Sequence, residues 1–257
     1  MKDHDDEDAA LSAHVRRKAF GSAEILHDVA LQIGHGERVA MLGPSGCGKS
    51  TLLAILAGID RDFDGSLTRD RGRLAMVFQS PRLLPWRTLT QNIALLPDVA
   101  DGARARAALA EVGLADHADA YPQMVSLGQQ RRAALARALA IDPKIILLDE
   151  PLVSLDPRRV RAMLDLIRRV FDTHEAAALI ATHDRREALA LADRLIELGG
   201  RPATLVSERR SPLSRQERCD PCAVEEVYQA WFGSEADTGT DKGAGANPGP
   251  SHGDADG

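Results

Sequence analysis

The feature that most constrains the fold of this chain is a glycine-rich loop that follows a short apolar segment. Residues 37–42 have the length and composition of a buried strand, and the next eight residues read GPSGCGKS. They match the pattern GxxxxGK[ST] at every fixed position, and residues 51–56 favour a helix. A strand, a loop of this kind and a helix predict a phosphate-binding unit, because glycine lets backbone N–H groups turn inward around phosphate oxygens. A glycine-rich turn that arises by chance is seldom preceded by a strand and followed by a helix.

The loop also carries a cation and a hydroxyl with a defined chemistry. Lys49 is placed to reach the β and γ phosphates of a nucleotide, and the Ser50 hydroxyl is a ligand for Mg²⁺. A GTPase would also need a guanine-reading NKxD sequence, which the chain lacks. The nucleotide-binding residues predicted from the loop are Gly43, Pro44, Ser45, Gly46, Cys47, Gly48, Lys49, Ser50 and Thr51.

Two adjacent carboxylates follow a second apolar segment. Residues 144–148 predict a strand that ends in Asp149 and Glu150. An aspartate in this position holds Mg²⁺ through water in phosphoryl-transfer sites, and the next carboxylate can act as general base toward the attacking water. Alone, the pair could equally be an ordinary exposed turn, but the phosphate loop upstream favours the catalytic interpretation.

The rest of the chain alternates between strand and helix patterns, which predicts a mostly parallel sheet with helices on both faces. Residues 1–13 are acidic and small, and residues 234–257 are mostly Gly, Asp, Ala, Pro and Ser, so both ends are predicted to be disordered. One domain, 14–233, remains. The further strands are predicted at 24–33, 73–78 and 176–182, and the further helices at 103–112, 129–140, 158–170 and 185–192.

Composition excludes several classes of function. A net charge of −6 gives no reason to expect nucleic acid as a partner. No apolar run approaches the ~20 residues of a membrane-spanning helix, and the acidic N-terminus is unlike a signal peptide, so we expect a cytoplasmic protein. Cys219 and Cys222 form a single CxxC, which is poor evidence for zinc because zinc usually takes four ligands.

Four further motifs occur in a fixed order after the phosphate loop. Gln79 lies in VFQSPRLLPWRT, VSLGQ precedes QRRAALARAL, SLD follows DEP, and His183 follows a predicted strand. Taken alone, His183 is more often an ordinary histidine and Gln79 indicates nothing. Together and in this order, the motifs resemble those of ABC transporter ATPases, and the resemblance covers about residues 15–233.

The resemblance implies a P-loop NTPase fold, with a RecA-like parallel sheet core, an N-terminal antiparallel β subdomain and an inserted α-helical subdomain at about 80–140. It implies ATP and Mg²⁺ as cofactors and a head-to-tail homodimer in which each ATP lies between the phosphate loop of one copy and the signature VSLGQ of the other. The resemblance also implies a role for individual residues. Phe20 would stack on adenine, although an aromatic residue there is as often part of the core. The other implied roles are catalysis for Gln79, Asp149, Glu150 and His183; Mg²⁺ binding for Ser50, Gln79 and Asp149; the signature in trans for Ser126, Gly128 and Gln129; and the D-loop for Asp156.

One residue departs from the pattern of that family. Leu127 stands where the signature usually has its first glycine, while the serine, second glycine and glutamine are retained. The departure puts the strength of the ATP-bound dimer in question.

A narrower resemblance concerns the transported solute. Residues 76–97 are similar to the same stretch of importer ATPases for nitrate, sulfonate and taurine-type substrates. This implies a peripheral subunit at the cytoplasmic face of the membrane that binds two transmembrane permease subunits and works indirectly with a solute-binding protein. Trp86 would then lie at the permease contact, unless it is a core residue of the helical subdomain. The alternatives are a soluble ABC ATPase and a regulatory cassette with little turnover.

Overall fold

The computed structural model describes residues 9–99 and 102–236. Within them, no helix is both long enough and apolar enough to cross a membrane. One sheet of nine strands organises the molecule, in the spatial order β4-β1-β2-β9-β8-β3-β7-β6-β5. The strands are β1 (Ala9–Phe20), β2 (Ala23–Gly34), β3 (Arg38–Leu42), β4 (Asp64–Arg69), β5 (Leu74–Val77), β6 (Ile145–Asp149), β7 (Ala177–Ala181), β8 (Arg194–Gly200) and β9 (Ala203–Arg210).

The centre of the sheet is parallel and buried on both faces. Strands β3, β6 and β7 are buried at every residue, and they pair in parallel with β8 and β5 on either side. Successive residues of β6 face opposite ways: Ile145 and Leu147 join one apolar cluster, while Ile146 and Leu148 join the other. This explains why the strands read as unbroken apolar runs rather than as alternating patterns.

The other end of the sheet is mainly antiparallel, with one parallel pairing between β2 and β9. Strand β1 pairs with both β2 and β4 in antiparallel register, and β9 returns antiparallel to β8. The mixed sheet therefore contains the predicted parallel core and the predicted antiparallel β subdomain.

Seven α-helices are present in the described part of the chain, together with short 3₁₀ turns. Helices α2, α3 and α4 lie between β5 and β6 in sequence, where the helical subdomain is predicted. The helices are α1 (Lys49–Leu56), α2 (Leu89–Ile93), α3 (Gly102–Glu111), α4 (Leu127–Leu139), α5 (Pro157–His174), α6 (Arg185–Leu191) and α7 (Pro221–Ala236).

The predicted disorder at the two ends is wrong where the structure describes them. Strand β1 begins at Ala9, because Leu11 and Ala13 are buried between β2 and β4. Helix α7, anchored by Val224 and Phe232 in the apolar cluster around α6, continues to Ala236. The predictions for residues 1–8 and 237–257 lie outside the described residues.

Candidate active site

The phosphate loop joins β3 to α1 in a backbone conformation that requires glycine. Gly43 has φ 153° and Gly48 has φ 107°, both in the region that L side chains rarely adopt. A Cβ atom at Gly43 would lie 2.7 Å from the carbonyl oxygen of Leu198, and one at Gly48 would lie 2.9 Å from Leu26. Gly46, with φ 78°, would meet nothing within 4 Å. The loop is thus closely packed at its two ends and open at its middle, where a phosphate would bind.

Lys49 is held inside this loop. Its side chain is 5% exposed, and Nζ donates hydrogen bonds to the carbonyl oxygens of Gly43, at 2.7 Å, and Pro44, at 3.1 Å. Its nearest carboxylate oxygen, Glu150 Oε1, is 3.7 Å away. A buried ammonium group with mainly neutral acceptors fits an anionic ligand, because burial without full charge pairing is costly.

Ser50 and Asp149 meet at the base of the loop. Ser50 Oγ donates a hydrogen bond of 3.1 Å to Asp149 Oδ1. Burial raises the pKa of the Asp149 carboxyl and the charge of Glu150 adds to this, while the hydrogen bond from Ser50 opposes it. A hydroxyl and a carboxylate that converge beside a phosphate loop form the oxygen donor set that Mg²⁺ prefers, so the residues present fit the ion.

Glu150 lies at the meeting point of three strand ends. Gln79 Nε2 is 3.5 Å from its Oε2, and His183 Nδ1 is 3.6 Å from its Oε1. Its backbone has φ 45°, unusual for a residue other than glycine, and its N–H donates to the carbonyl oxygen of Ala181. The carboxyl ends of neighbouring parallel strands thus bring Gln79, Glu150 and His183 together, although they are far apart in sequence.

Phe20 lines the same cleft, which has a volume of about 320 Å³ and is otherwise formed by the phosphate loop, Ile25, Gln79 and Glu150. Its side chain is 56% exposed, so it is not a core residue. The ammonium group of Lys18 lies 4.6 Å from the ring centroid. An exposed aromatic ring at the mouth of a phosphate-binding cleft has the placement that a nucleobase platform needs.

Comparison with known proteins identifies the family to which this chain belongs. The family model described as ABC transporter matches residues 26–153. The aliphatic sulfonates import ATP-binding protein SsuB 2 of Pseudomonas syringae pv. tomato is 42% identical over 231 residues, which cover 86% of this chain and 99% of that protein. The chain belongs to the ABC transporter ATP-binding proteins.

Further similarities agree with this assignment. The aliphatic sulfonates import ATP-binding protein SsuB of Mycobacterium sp. (strain MCS) is 47% identical over 196 residues, covering 74% of this chain and 80% of that protein. A dimeric structure of the ATP-binding cassette MJ0796, in a post-hydrolysis state with ADP and Pi, is 28% identical, with a TM-score of 0.70 over 79% of this chain and 100% of that one. The predicted family, fold class and ATPase activity are confirmed: the chain is an ABC-type ATPase.

The signature of this ABC ATPase lies away from its own phosphate loop. Ser126 is the N-cap of α4: its Oγ accepts from the N–H of Gln129, and its own N–H donates to Gln129 Oε1. Leu127 is 47% exposed, and it does not disturb the start of the helix. Among the described residues that line the nucleotide cleft, none comes from the signature.

Asp156 caps another helix. Its carboxylate accepts a hydrogen bond of 3.1 Å from the N–H of Arg159 at the start of α5 and forms an ion pair with the Arg159 side chain. The structure thus gives this D-loop residue a local contact, and it does not bring Asp156 into the nucleotide cleft.

Sequence reasoning missed two polar residues that hold the segments carrying Trp86 and His183. Asn92, fully buried in α2, accepts from the N–H of Leu84 and donates to three carbonyl oxygens in residues 84–88, so it fixes the loop that carries Trp86. Trp86 is 69% exposed and is therefore not a core residue. Glu187, in α6, hydrogen-bonds to Thr182 beside His183. The one feature of the sequence that could have indicated Asn92 is an amide side chain within the run TQNIAL. No local pattern indicates the role of Glu187.

Proposed function

We propose that this ABC-type ATPase energises the import of aliphatic sulfonates as a peripheral subunit at the cytoplasmic face of the membrane. The curated relatives described above are aliphatic sulfonate import ATP-binding proteins, and they match most of this chain. The observation that carries the catalytic part is the cluster of Lys49, Gln79 and His183 around Glu150.

The residues of the cleft divide the work of ATP hydrolysis. Lys49 and the loop N–H groups bind the β and γ phosphates, and Phe20 stacks on the adenine. Ser50, Asp149 and Gln79 would hold Mg²⁺, partly through water. When bound, the ion would neutralise the negative charge that develops on the phosphate oxygens.

Glu150 is the general base. Its carboxylate accepts the proton of the attacking water, while Gln79 and His183, on either side of it, orient the water and the γ-phosphate. The positive φ and the N–H bond to Ala181 fix the backbone of Glu150 at the end of β6. A base fixed in this way is placed before the nucleotide arrives.

The signature completes the site of a second copy. Ser126 occupies the N-cap of α4, and the N–H groups of Leu127 and Gly128 have no acceptor within the helix, as helix geometry dictates for a first turn. They are suited to bind the γ-phosphate held by another copy, with the Ser126 hydroxyl, Gln129 and the D-loop residue Asp156 at the same contact. We infer an ATP-dependent homodimer of this kind.

Further partners follow from the importer assignment. Two transmembrane permease subunits would receive the movement of the closing dimer, with exposed Trp86 at the contact, and a solute-binding protein would act through them. Loss of the γ-phosphate would remove the bridge between the copies and allow the dimer to open.

The catalytic part is tested with Glu150→Gln. Removing the general base should lower the rate of ATP hydrolysis by about 10²- to 10⁴-fold while leaving the affinity for ATP unchanged. Glu226→Gln, on the exposed face of α7, is the matched control and should hydrolyse ATP at the wild-type rate. Hydrolysis by Glu150→Gln at the wild-type rate would contradict the role of Glu150.

The solute is tested by growth. A strain without this protein should fail to grow with an alkanesulfonate as sole sulfur source, grow normally on sulfate, and be rescued by the wild-type chain but not by Glu150→Gln. Normal growth of the deletion strain on alkanesulfonates together with a defect on nitrate as nitrogen source would instead assign a nitrate importer.

A further inference from the structure

We propose that Glu187 is a positioning residue for His183, and that it acts through the hydroxyl of Thr182. The inference rests on the catalytic role proposed above for His183. It concerns the turn between β7 and α6, where one hydrogen-bond network joins the residues on both sides of the histidine.

The first part of the network joins the two neighbours of His183 to each other. The hydroxyl of Thr182 donates a hydrogen bond of 2.7 Å to Glu187 Oε2 and accepts one of 3.1 Å from the N–H of Asp184. Thr182 is buried, and its own N–H donates to the carbonyl oxygen of Met41 in β3. Glu187 thus fixes the side chain of a residue whose backbone is bonded to the central sheet.

The second part closes the turn from the helix side. The carboxylate of Asp184 accepts hydrogen bonds from the N–H groups of Arg186, at 2.7 Å, and Glu187, at 3.2 Å, and so caps α6. Helix α6 and the end of β7 are therefore joined twice, once through Asp184 and once through the bond between Thr182 and Glu187.

His183 itself needs such support. Its side chain is 53% exposed, yet its Nδ1 lies 3.6 Å from the carboxylate of Glu150. Holding an exposed side chain in one rotamer costs conformational entropy. The position of the His183 backbone therefore decides how often the ring contacts Glu150. The N–H of Glu150 is bonded to Ala181, the residue before Thr182, so the network fixes His183 relative to the general base.

The chemistry of Glu187 identifies the conservative variant. Burial raises the pKa of its carboxyl to about 7, and the hydrogen bond from Thr182 opposes this; Asp184 and Glu150 raise the pKa further and His183 lowers it. Either protonation state offers an oxygen to the Thr182 hydroxyl, as does a glutamine side chain of the same length. Alanine offers none.

The experiment compares steady-state ATP hydrolysis and ATP affinity for the purified full chain and five variants. Glu187→Ala and Thr182→Val should each lower kcat about tenfold, with KM for ATP changed by less than about twofold. The reason is that each variant displaces the His183 ring from Glu150 and leaves the residues that bind ATP in place. Their double variant should be no slower than Thr182→Val alone, since Thr182→Val already removes the bond to Glu187, together with the bond from Asp184. Glu187→Gln should retain at least about half of the wild-type kcat.

His183→Ala separates failure of this inference from failure of the proposed function. If His183→Ala loses activity and both Glu187→Ala and Thr182→Val keep the wild-type kcat, the positioning role is wrong and the role of His183 stands. If His183→Ala keeps the wild-type kcat, the role of His183 fails and the inference fails with it. If Glu187→Gln is as slow as Glu187→Ala, the carboxylate acts by its charge and not by the bond to Thr182. If Glu187→Ala does not fold, Thr182→Val, which nearly preserves side-chain shape, decides.

Discussion

The nucleotide cleft and the signature turn differ in how their polar groups are satisfied. In the cleft, Lys49, Asp149 and Glu150 are buried or nearly so, and Glu150 has an unusual backbone angle. In the signature turn, Ser126 and Gln129 satisfy each other in a capping box on an accessible surface. The same capping box occurs between Thr88 and Gln91 at the start of α2. The cleft is therefore built for a ligand within one chain, whereas the signature turn is a stable helix start on an accessible surface, as the proposed contact with a second copy requires.

The largest test of this comparison makes one substitution in each region. Gly43→Ala should abolish measurable ATP binding and destabilise the fold by roughly 2–4 kcal/mol, because its Cβ would lie 2.7 Å from the carbonyl oxygen of Leu198. Gly128→Ala meets only Leu155, at 4.0 Å, so stability should change by less than about 1 kcal/mol and ATP binding should persist. Thermal unfolding and a fluorescent-ATP titration measure both effects. Equal loss of ATP binding in the two variants would refute the separation of the two regions.

The pH dependence of stability tests the burial of Glu187 beside the cleft. A pKa raised from 4.5 to about 7 means that the folded state binds the proton more tightly than the unfolded state. The resulting stability is fully present below about pH 4.5 and is lost as the pH rises through about 7, a change of about 3 kcal/mol at 1.36 kcal/mol per unit of pKa. Glu187→Gln should remove this part of the pH dependence in urea unfolding between pH 4.5 and 8. Identical profiles for the two proteins would show that Glu187 is solvated.

Phe20→Ala tests the outer wall of the cleft. Stacking of a base on an aromatic ring contributes about 1–3 kcal/mol, so the dissociation constant for ATP should rise about tenfold. Because the ring is exposed, the melting temperature should stay within a few degrees. Phe20→Trp, which keeps a stacking surface, is the control and should bind ATP about as tightly as wild type. Wild-type affinity in Phe20→Ala would remove Phe20 from the site.

Ser126→Ala gives the smallest effect in a single chain. Loss of the N-cap should destabilise the chain by about 1 kcal/mol, without changing ATP affinity in the monomer. Ser126→Asp restores a capping carboxylate and should recover the stability, but it should not recover hydrolysis, because a negative charge at this place repels the γ-phosphate. Hydrolysis at the wild-type rate in both variants would leave the signature turn with a purely structural role.

What could be predicted from the sequence was contiguous in the chain. The phosphate loop and the pair Asp149–Glu150 each occupy a few consecutive residues after an apolar strand, so a role could be proposed for them from the local pattern alone. The buried strands of the parallel core were predicted for the same reason, since each is an unbroken apolar run.

What the sequence missed depended on contacts between distant residues. The start of β1 at Ala9 follows from pairing with β2 and β4, which composition alone does not report. Strands β8 and β9 and the network of Thr182 with Glu187 are also tertiary features. The choice between a core role and a cleft role for Phe20 could not be made from the sequence for the same reason. It depends on the exposure of the side chain, which the shape of the cleft decides.

The central claim is that the signature turn, with Leu127 in place of glycine, completes the nucleotide site of a second copy. Light scattering of purified Glu150→Gln, with and without Mg-ATP, tests it most directly, because this variant should bind ATP without hydrolysing it. The account predicts a monomer without ATP and a dimer with it, and the dimer should disappear when Ser126→Asp is added to the same chain. A monomer under both conditions, with ATP binding verified in the same sample, would contradict the claim.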